Sequence, residues 1–173
     1  MDSYPTPRIA VESLLKAEPD VLNTMTRVWE PAAGDGNIVR VLRDNGIPCI
    51  ASDIERYSFD LHFVGDFLQR ERAPAECSVS LTNPPYKLAE QFAMHALTLV
   101  PDVYLLLRLA FLESIGRTEL LERSGLRRVL VFRRRLPRMH RSGWDGPRAS
   151  SSMAFAWMCW RRNFAGPTTL TRI

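Results

Sequence analysis

The stretch Cys77-Ser78-Val79-Ser80-Leu81-Thr82-Asn83-Pro84-Pro85-Tyr86 decides how this chain is read. Its first six residues form an apolar-leaning run that reads as a short buried strand. Two consecutive prolines then stop it, because each lacks a backbone N–H and has its φ fixed. The result is a rigid, extended corner at a strand's carboxyl end, where open α/β sheets place their ligands. The corner carries an amide, a carbonyl and an aromatic ring. Asn83 Oδ1 and the Pro84 carbonyl can accept two N–H bonds from a planar, amine-bearing group, while Tyr86 stacks on its face. The same residues could equally make a plain Pro-Pro turn with an Asn cap and a surface tyrosine. The rest of the chain has to choose.

Working outward, strands alternate with helices. Tyr4-Pro5-Thr6-Pro7 is a stiff lead-in to a helix over residues 9–16 that Pro19 stops. Arg27-Val28-Trp29-Glu30 reads as a first strand, followed by the turn Pro31-Ala32-Ala33-Gly34-Asp35-Gly36 and a helix that Asn37 could cap. Residues 47–52 form a second strand ending on Asp53. After the strand over 77–82 come a helix through 89–97 and the clearest buried strand, 102–107. A short helix over 118–123 ends at Gly125. The last strands, over 127–132 and 153–160, have only loop between them and should pair antiparallel at the edge. This alternation predicts an α/β sheet covered on both faces, in one domain spanning 1–173.

Composition bounds the function classes. A chain of 173 residues with 46% hydrophobic and 24% charged content suits a globular domain with a proper core. No run approaches the roughly 18 apolar residues of a bilayer span. Met1-Asp2-Ser3-Tyr4-Pro5 is neither basic nor followed by an apolar run, so no signal peptide is expected. Cys49, Cys77 and Cys159 lack metal-type spacing and suggest a reduced, cytoplasmic setting. His62, His95 and His140 are scattered and predict no metal site.

The net charge of +4 is unevenly spread. Residues 1–116 hold 10 Lys and Arg against 16 Asp and Glu; residues 117–173 hold 13 against 3, and all 13 are Arg. A segregated arginine field is the expected footprint of a polyphosphate partner, with a solvated basic face as the bland alternative. Arg133-Arg134-Arg135 closes the penultimate strand and leads into a long loop bearing Arg138, Arg141, Trp144 and Arg148. We expect this loop to clamp nucleic acid, with arginines on phosphates and Trp144 stacking on or wedging a base. A floppy loop whose tryptophan packs back on the core is the alternative.

Glu30 to Gly36 joins the first strand to the first helix with small residues that let a ligand approach the backbone. Only two glycines are present where the dinucleotide pattern needs three, and the acidic strand end argues for a cationic or hydroxylated ligand. Asp53 is placed to accept the hydroxyls of a ribose. Gly65-Asp66-Phe67 adds another acidic loop tip beside a ring. In this order and spacing, with Asn83 to Tyr86, the set resembles the class I S-adenosylmethionine-dependent methyltransferases, specifically the NPPY-type N6-adenine DNA methyltransferases, and looks closest to small phage and bacterial members. The resemblance covers residues 4 to about 160.

That resemblance implies a Rossmann-like, mostly parallel sheet and S-adenosylmethionine as cofactor. It implies that Thr6 and Pro7 line the methionine end and that Glu30, Ala32 and Gly34 hold the amino-acid moiety, with Tyr4, Pro31 and Gly36 also at the cofactor. Asp53 would take the ribose, Asp66 the adenine amino group, and Phe67 would lie against the adenine ring. Asn83, Pro84, Pro85 and Tyr86 would act on the target amine. The eleven residues between Asp53 and Gly65 are too few for the usual helical crossover, which should be shortened. No separate target-recognition domain is expected, so sequence specificity is loose or borrowed, for instance from a second copy in a homodimer.

DNA is the favoured partner. RNA methylation at adenine N6 or guanine N2 is the runner-up, since a basic field fits either polymer. A protein glutamine methyltransferase fits less well, because those carry a helical domain ahead of the glycine loop and only 29 residues precede Glu30. A non-catalytic nucleic-acid-binding regulator with a vestigial pocket is the remaining alternative.

Overall fold

In the computed structural model, residues 5–137 and 151–173 are described. Eight strands form one sheet: β1 (Arg27–Glu30), β2 (Cys49–Asp53), β3 (Phe63–Val64), β4 (Cys77–Thr82), β5 (Asp102–Arg108), β6 (Leu126–Val131), β7 (Phe155–Arg161) and β8 (Thr169–Arg172), in the order β3-β2-β1-β4-β5-β7-β6-β8. The first five are mutually parallel. β7 inserts antiparallel between β5 and β6, as the loop-only connection predicted, and β8 continues the sheet parallel to β6.

Alternation along the central strands sorts side chains onto two buried faces. One face takes Val28, Leu81, Tyr104, Leu106, Trp157 and Cys159, beneath helices α1 (Arg8–Ala17) and α2 (Asn37–Asp44). The other takes Trp29, Val103, Leu105, Leu107, Met158 and Trp160, beneath α3 (Ala89–Leu99) and a π-turn at Glu119–Arg123. Each buried indole finds an acceptor. Trp157 Nε1 donates to the Ala10 carbonyl (2.8 Å), Trp160 Nε1 to that of Leu120 (3.1 Å), and Trp29 Nε1 to Ser52 Oγ (2.8 Å). The two C-terminal tryptophans thereby tie helical backbone to both faces of one strand.

Several details depart from the sequence reading. β3 is two residues long and carries too short a pattern to be seen. β8 has exposed Thr169, Leu170 and Arg172, so it lacks the apolar alternation that marks a strand. Pairing with β6, a Thr168 hydroxyl bond to the Leu126 carbonyl (2.6 Å) and the Arg133 amide on the Ile173 carbonyl (2.7 Å) hold it instead. Asn37 does not cap α2 but is its first residue. The cap position falls to Gly36 at φ 76°, a conformation open to glycine. The crossover after Asp53 contains no helix, as its length predicted.

Part of the arginine field is used inside the fold. Glu18, 3% exposed, follows α1 and accepts from Tyr104 Oη (2.9 Å), Arg128 Nη1 (2.6 Å) and Arg127 Nη2. Arg127 Nη2 also donates to Tyr104 Oη (2.7 Å). One buried carboxylate thus anchors α1 to β5 and β6. Removing it would strand two partly buried guanidinium groups. Glu18→Ala is therefore expected to cost about 3–5 kcal/mol in urea unfolding with an unchanged m-value, and Glu18→Gln clearly less. An unchanged midpoint for Glu18→Ala would show that the cluster holds nothing in place.

Candidate active site

β1 and β4 are adjacent and parallel, yet the helices that follow them, α2 and α3, cover opposite faces. Between their carboxyl ends lies a cavity of about 670 Å3, within the roughly 300–1,000 Å3 range of small-molecule sites. It runs from the Pro31–Gly34 backbone on one side to Asn83, Pro84, Pro85 and Tyr86 on the other. Thr6, Asp53, Asp66 and Phe67 complete the predicted wall.

The β1–α2 loop is held by carboxylates. Asp53 Oδ2 accepts from the Gly34 amide (2.8 Å) and Oδ1 from that of Glu55 (3.2 Å), while the Ala33 amide reaches the Ser52 carbonyl (3.0 Å). Burial pushes the Asp53 carboxyl above its usual range, and these backbone bonds oppose the shift. Asp66 Oδ1 caps the 3-10 turn Phe67–Gln69 through the Leu68 amide (2.9 Å). Phe67 is mainly a core residue, packed edge-on to Trp29 with ring centroids 5.1 Å apart and close to Phe92 at 4.7 Å. Across the cavity, Asn83 Nδ2 donates to the buried Thr6 Oγ1 (3.1 Å), pinning the N-terminal lead-in to the corner. Arg108, at the end of β5, sets its guanidinium 4.7 Å from the Tyr86 ring centroid.

Three predicted cofactor contacts do not reach the cavity wall. Pro7 begins α1. Glu30 lies wholly buried beneath the loop, where Oε1 accepts from the Ala32 amide (3.3 Å) and the Thr82 hydroxyl lies beside the carboxyl. Gly36 turns its Cα toward Phe59: a Cβ built there would stand 2.3 Å from the ring. The close approach that this glycine permits is to the chain's own crossover, whose Phe59 also lies under Arg40 and Arg43. Tyr4, Arg138, Arg141, Trp144 and Arg148 fall outside the described residues. Arg133, Arg134 and Arg135 are exposed and leave β6 at the same carboxyl end of the sheet as the corner, but do not line the cavity.

Wall residues missed by the sequence reading include Asp35, Asn37, Tyr57, Lys87 and Arg108. Asp35 lies within the quoted loop and Asn37 directly follows it, so both could have been taken with it. Tyr57 sits in an irregular crossover with no periodic signal. Arg108 could have been found by asking what ends the strand beside the corner.

No family model matches the chain, and its sequence matches no curated protein. Solved structures are more informative. The 23S rRNA methyltransferase ErmE superposes with a TM-score of 0.60 at 15% identity, over 96% of this chain and 72% of that one. A dimethyladenosine transferase from Plasmodium falciparum gives 0.56 at 15%, over 92% and 63%. The chain shares the Rossmann-like fold of these two methyltransferases. The type IIG restriction endonuclease BpuSI shares it at 0.60 and 16% identity, over 96% of this chain but 26% of that far larger protein. Within this fold, the β1–β4 cleft described above lies at the reversal of strand order, where such sheets receive ligands. Among the described residues there is no cluster of potential metal ligands and no helix long and apolar enough to cross a membrane.

Two predictions follow from the packing of the loop. Burial raises the Glu30 carboxyl from 4.5 to about 8, with Thr82 and the Ala32 amide opposing the shift. Between those values the folded state keeps a proton that the unfolded chain has lost. Stability should therefore fall as pH rises from about 4.5 to about 8, by up to about 5 kcal/mol, and then level off. Glu30→Gln should remove that slope, read as the difference between the two proteins' urea midpoints across pH; parallel profiles would contradict the assignment. Separately, Gly36→Ala should destabilise by roughly 2–4 kcal/mol, and less so when Phe59 is already alanine. Strict additivity in that double-mutant cycle would argue against the ring seat.

Proposed function

We propose that the chain is an S-adenosylmethionine-dependent methyltransferase acting on the exocyclic N6 amine of adenine in nucleic acid, with DNA the favoured substrate. The observation that carries this reading is that the Pro31–Gly34 loop and the Asn83–Tyr86 corner open onto one cavity across the β1–β4 cleft. The donor set fits the cofactor. Carboxylates at Asp35, Asp53 and Asp66 suit a cation, ribose hydroxyls and an exocyclic amine, and Ile38, Ile54, Phe67 and Phe92 supply apolar wall. The cofactor, when bound, supplies an electrophilic methyl group on a sulfonium.

The remaining work falls to this chain's residues. Adenine's exocyclic amine is a poor nucleophile because its lone pair is conjugated with the ring. Asn83 Oδ1 and the Pro84 carbonyl would accept its two hydrogens, drawing the nitrogen toward sp3 geometry and localising the lone pair. The Thr6 hydroxyl accepts from Asn83 Nδ2 and holds that end of the amide, which leaves Oδ1 for the amine. The two prolines keep both acceptors on rigid backbone, which holds the reacting groups in line. Tyr86 would keep the base in plane. No general base is assigned, since the methylated ammonium is acidic enough to lose its proton afterwards. In a duplex the base must leave the stack to reach this corner.

RNA is the second reading, favoured by the likeness to the 23S rRNA methyltransferase. Transfer of labelled methyl to unmodified duplex DNA, with total RNA in parallel, separates the two. Label is expected as N6-methyladenine in DNA, and Asn83→Ala should lower the rate at least about a hundredfold. Label confined to RNA would move the substrate to the second reading. Label on neither, or full activity in Asn83→Ala, would overturn the proposal.

A further inference from the structure

The cavity has two electrical ends, and strand order sets them. Its carboxylates lie in one half of the sheet: Asp35 follows β1, Asp53 ends β2 and Asp66 follows β3. Its cations, Lys87 and Arg108, follow β4 and end β5 on the other. Arg108 is exposed and enters no ion pair with a carboxylate among the described residues. This sets it apart from Arg117, Arg123, Arg127, Arg128 and Arg161, which are paired with Glu90, Glu119, Glu18, Glu18 and Asp102. Its guanidinium lies instead over the Tyr86 ring, 4.7 Å from the centroid. Phe155, register partner of Arg108 across β5 and β7, flanks the same ring at 6.2 Å.

We propose that Arg108 is a phosphate-binding residue for the target nucleotide, parked on Tyr86 until a base takes its place. This rests on the reading of the site as a nucleic-acid methyltransferase. A planar base and a guanidinium both favour the same π face, and they cannot share it. An entering base displaces Arg108 at the cavity mouth, where the nearest charge of opposite sign is the phosphate of the nucleotide being drawn in. The fork geometry of arginine matches phosphate oxygens, and a charge-assisted bond there replaces the weaker contact with the ring. The stacking surface is thus kept covered between turnovers, and uncovering it is coupled to capture of the nucleotide backbone. Lys87, a wall residue one position beyond Tyr86, adds charge at this end without being held on the ring.

The test is the binding of a fluorescein-labelled, adenine-containing DNA duplex and a matching RNA hairpin, each titrated at several salt concentrations. Wild type, Arg108→Ala and Arg108→Lys are compared. Arg108→Ala should weaken binding of the accepted polymer about tenfold and lower the slope of log K against log salt by about one. Its methyl transfer should show the loss in KM, with S-adenosylmethionine affinity unchanged. Arg108→Lys should keep the salt slope but recover only part of the affinity. A residue that merely orients Tyr86 would leave the salt slope alone. Wild-type affinity and slope in Arg108→Ala, or tighter binding, would overturn this proposal while leaving the methyltransferase reading intact. Failure of wild type to bind and methylate either polymer would bring down that reading and this inference with it.

Discussion

The molecule is organised by the side-by-side, parallel placement of β1 and β4, whose following helices leave for opposite faces of the sheet. Neither helix then covers the carboxyl ends of those two strands, and a cleft opens between them. What ends each strand becomes the wall of that cleft. β1 ends in a tight, small-residue loop held down by the Asp53 carboxylate, and β4 ends in two prolines that can neither pair nor bend back. The rigidity of one wall comes from covalent structure. That of the other comes from hydrogen bonds to backbone amides.

Charge is distributed to match. The end of the cavity nearest β2 is acidic and the end nearest β5 is basic, which suits a cationic, ribose-bearing cofactor meeting a phosphate-bearing substrate. The acidic residue at the end of β1 does not itself face the cavity. Glu30 is sealed beneath the loop, and its burial favours the protonated carboxyl near neutral pH, so the loop sits on a group with little charge to repel Asp53. Much of the C-terminal arginine excess serves the fold, two of its members through Glu18. Arg108 at the cavity mouth and Arg133 to Arg135 at the sheet end are left facing solvent.

How far the sequence could be read follows the strength of the local signals. The corner at Asn83–Tyr86 was legible because two adjacent prolines after a strand leave the backbone almost no alternatives. The buried strands β5 and β7 were legible from continuous apolar runs, and the antiparallel pairing of β7 with β6 from the loop-like sequence between them. β8 was not, because a polar edge strand depends on its neighbour rather than on its own pattern. The contact of Gly36 with Phe59 was not legible, because a glycine in a loop signals close approach without naming what approaches; only the fold brings Phe59 to it from 23 residues away. Arg108 was overlooked because its significance lies in its distance to Tyr86, a relation between two strands that sequence spacing does not express.

The measurement that bears most directly on this account is a crystal structure with S-adenosylhomocysteine bound. The account predicts the adenosyl group along Asp53 and Asp66, the amino-acid end beside Ala32 and Gly34, and the sulfur turned toward Asn83 and Pro84. An adenosyl group bound elsewhere, or a sulfur turned away from the corner, would contradict it.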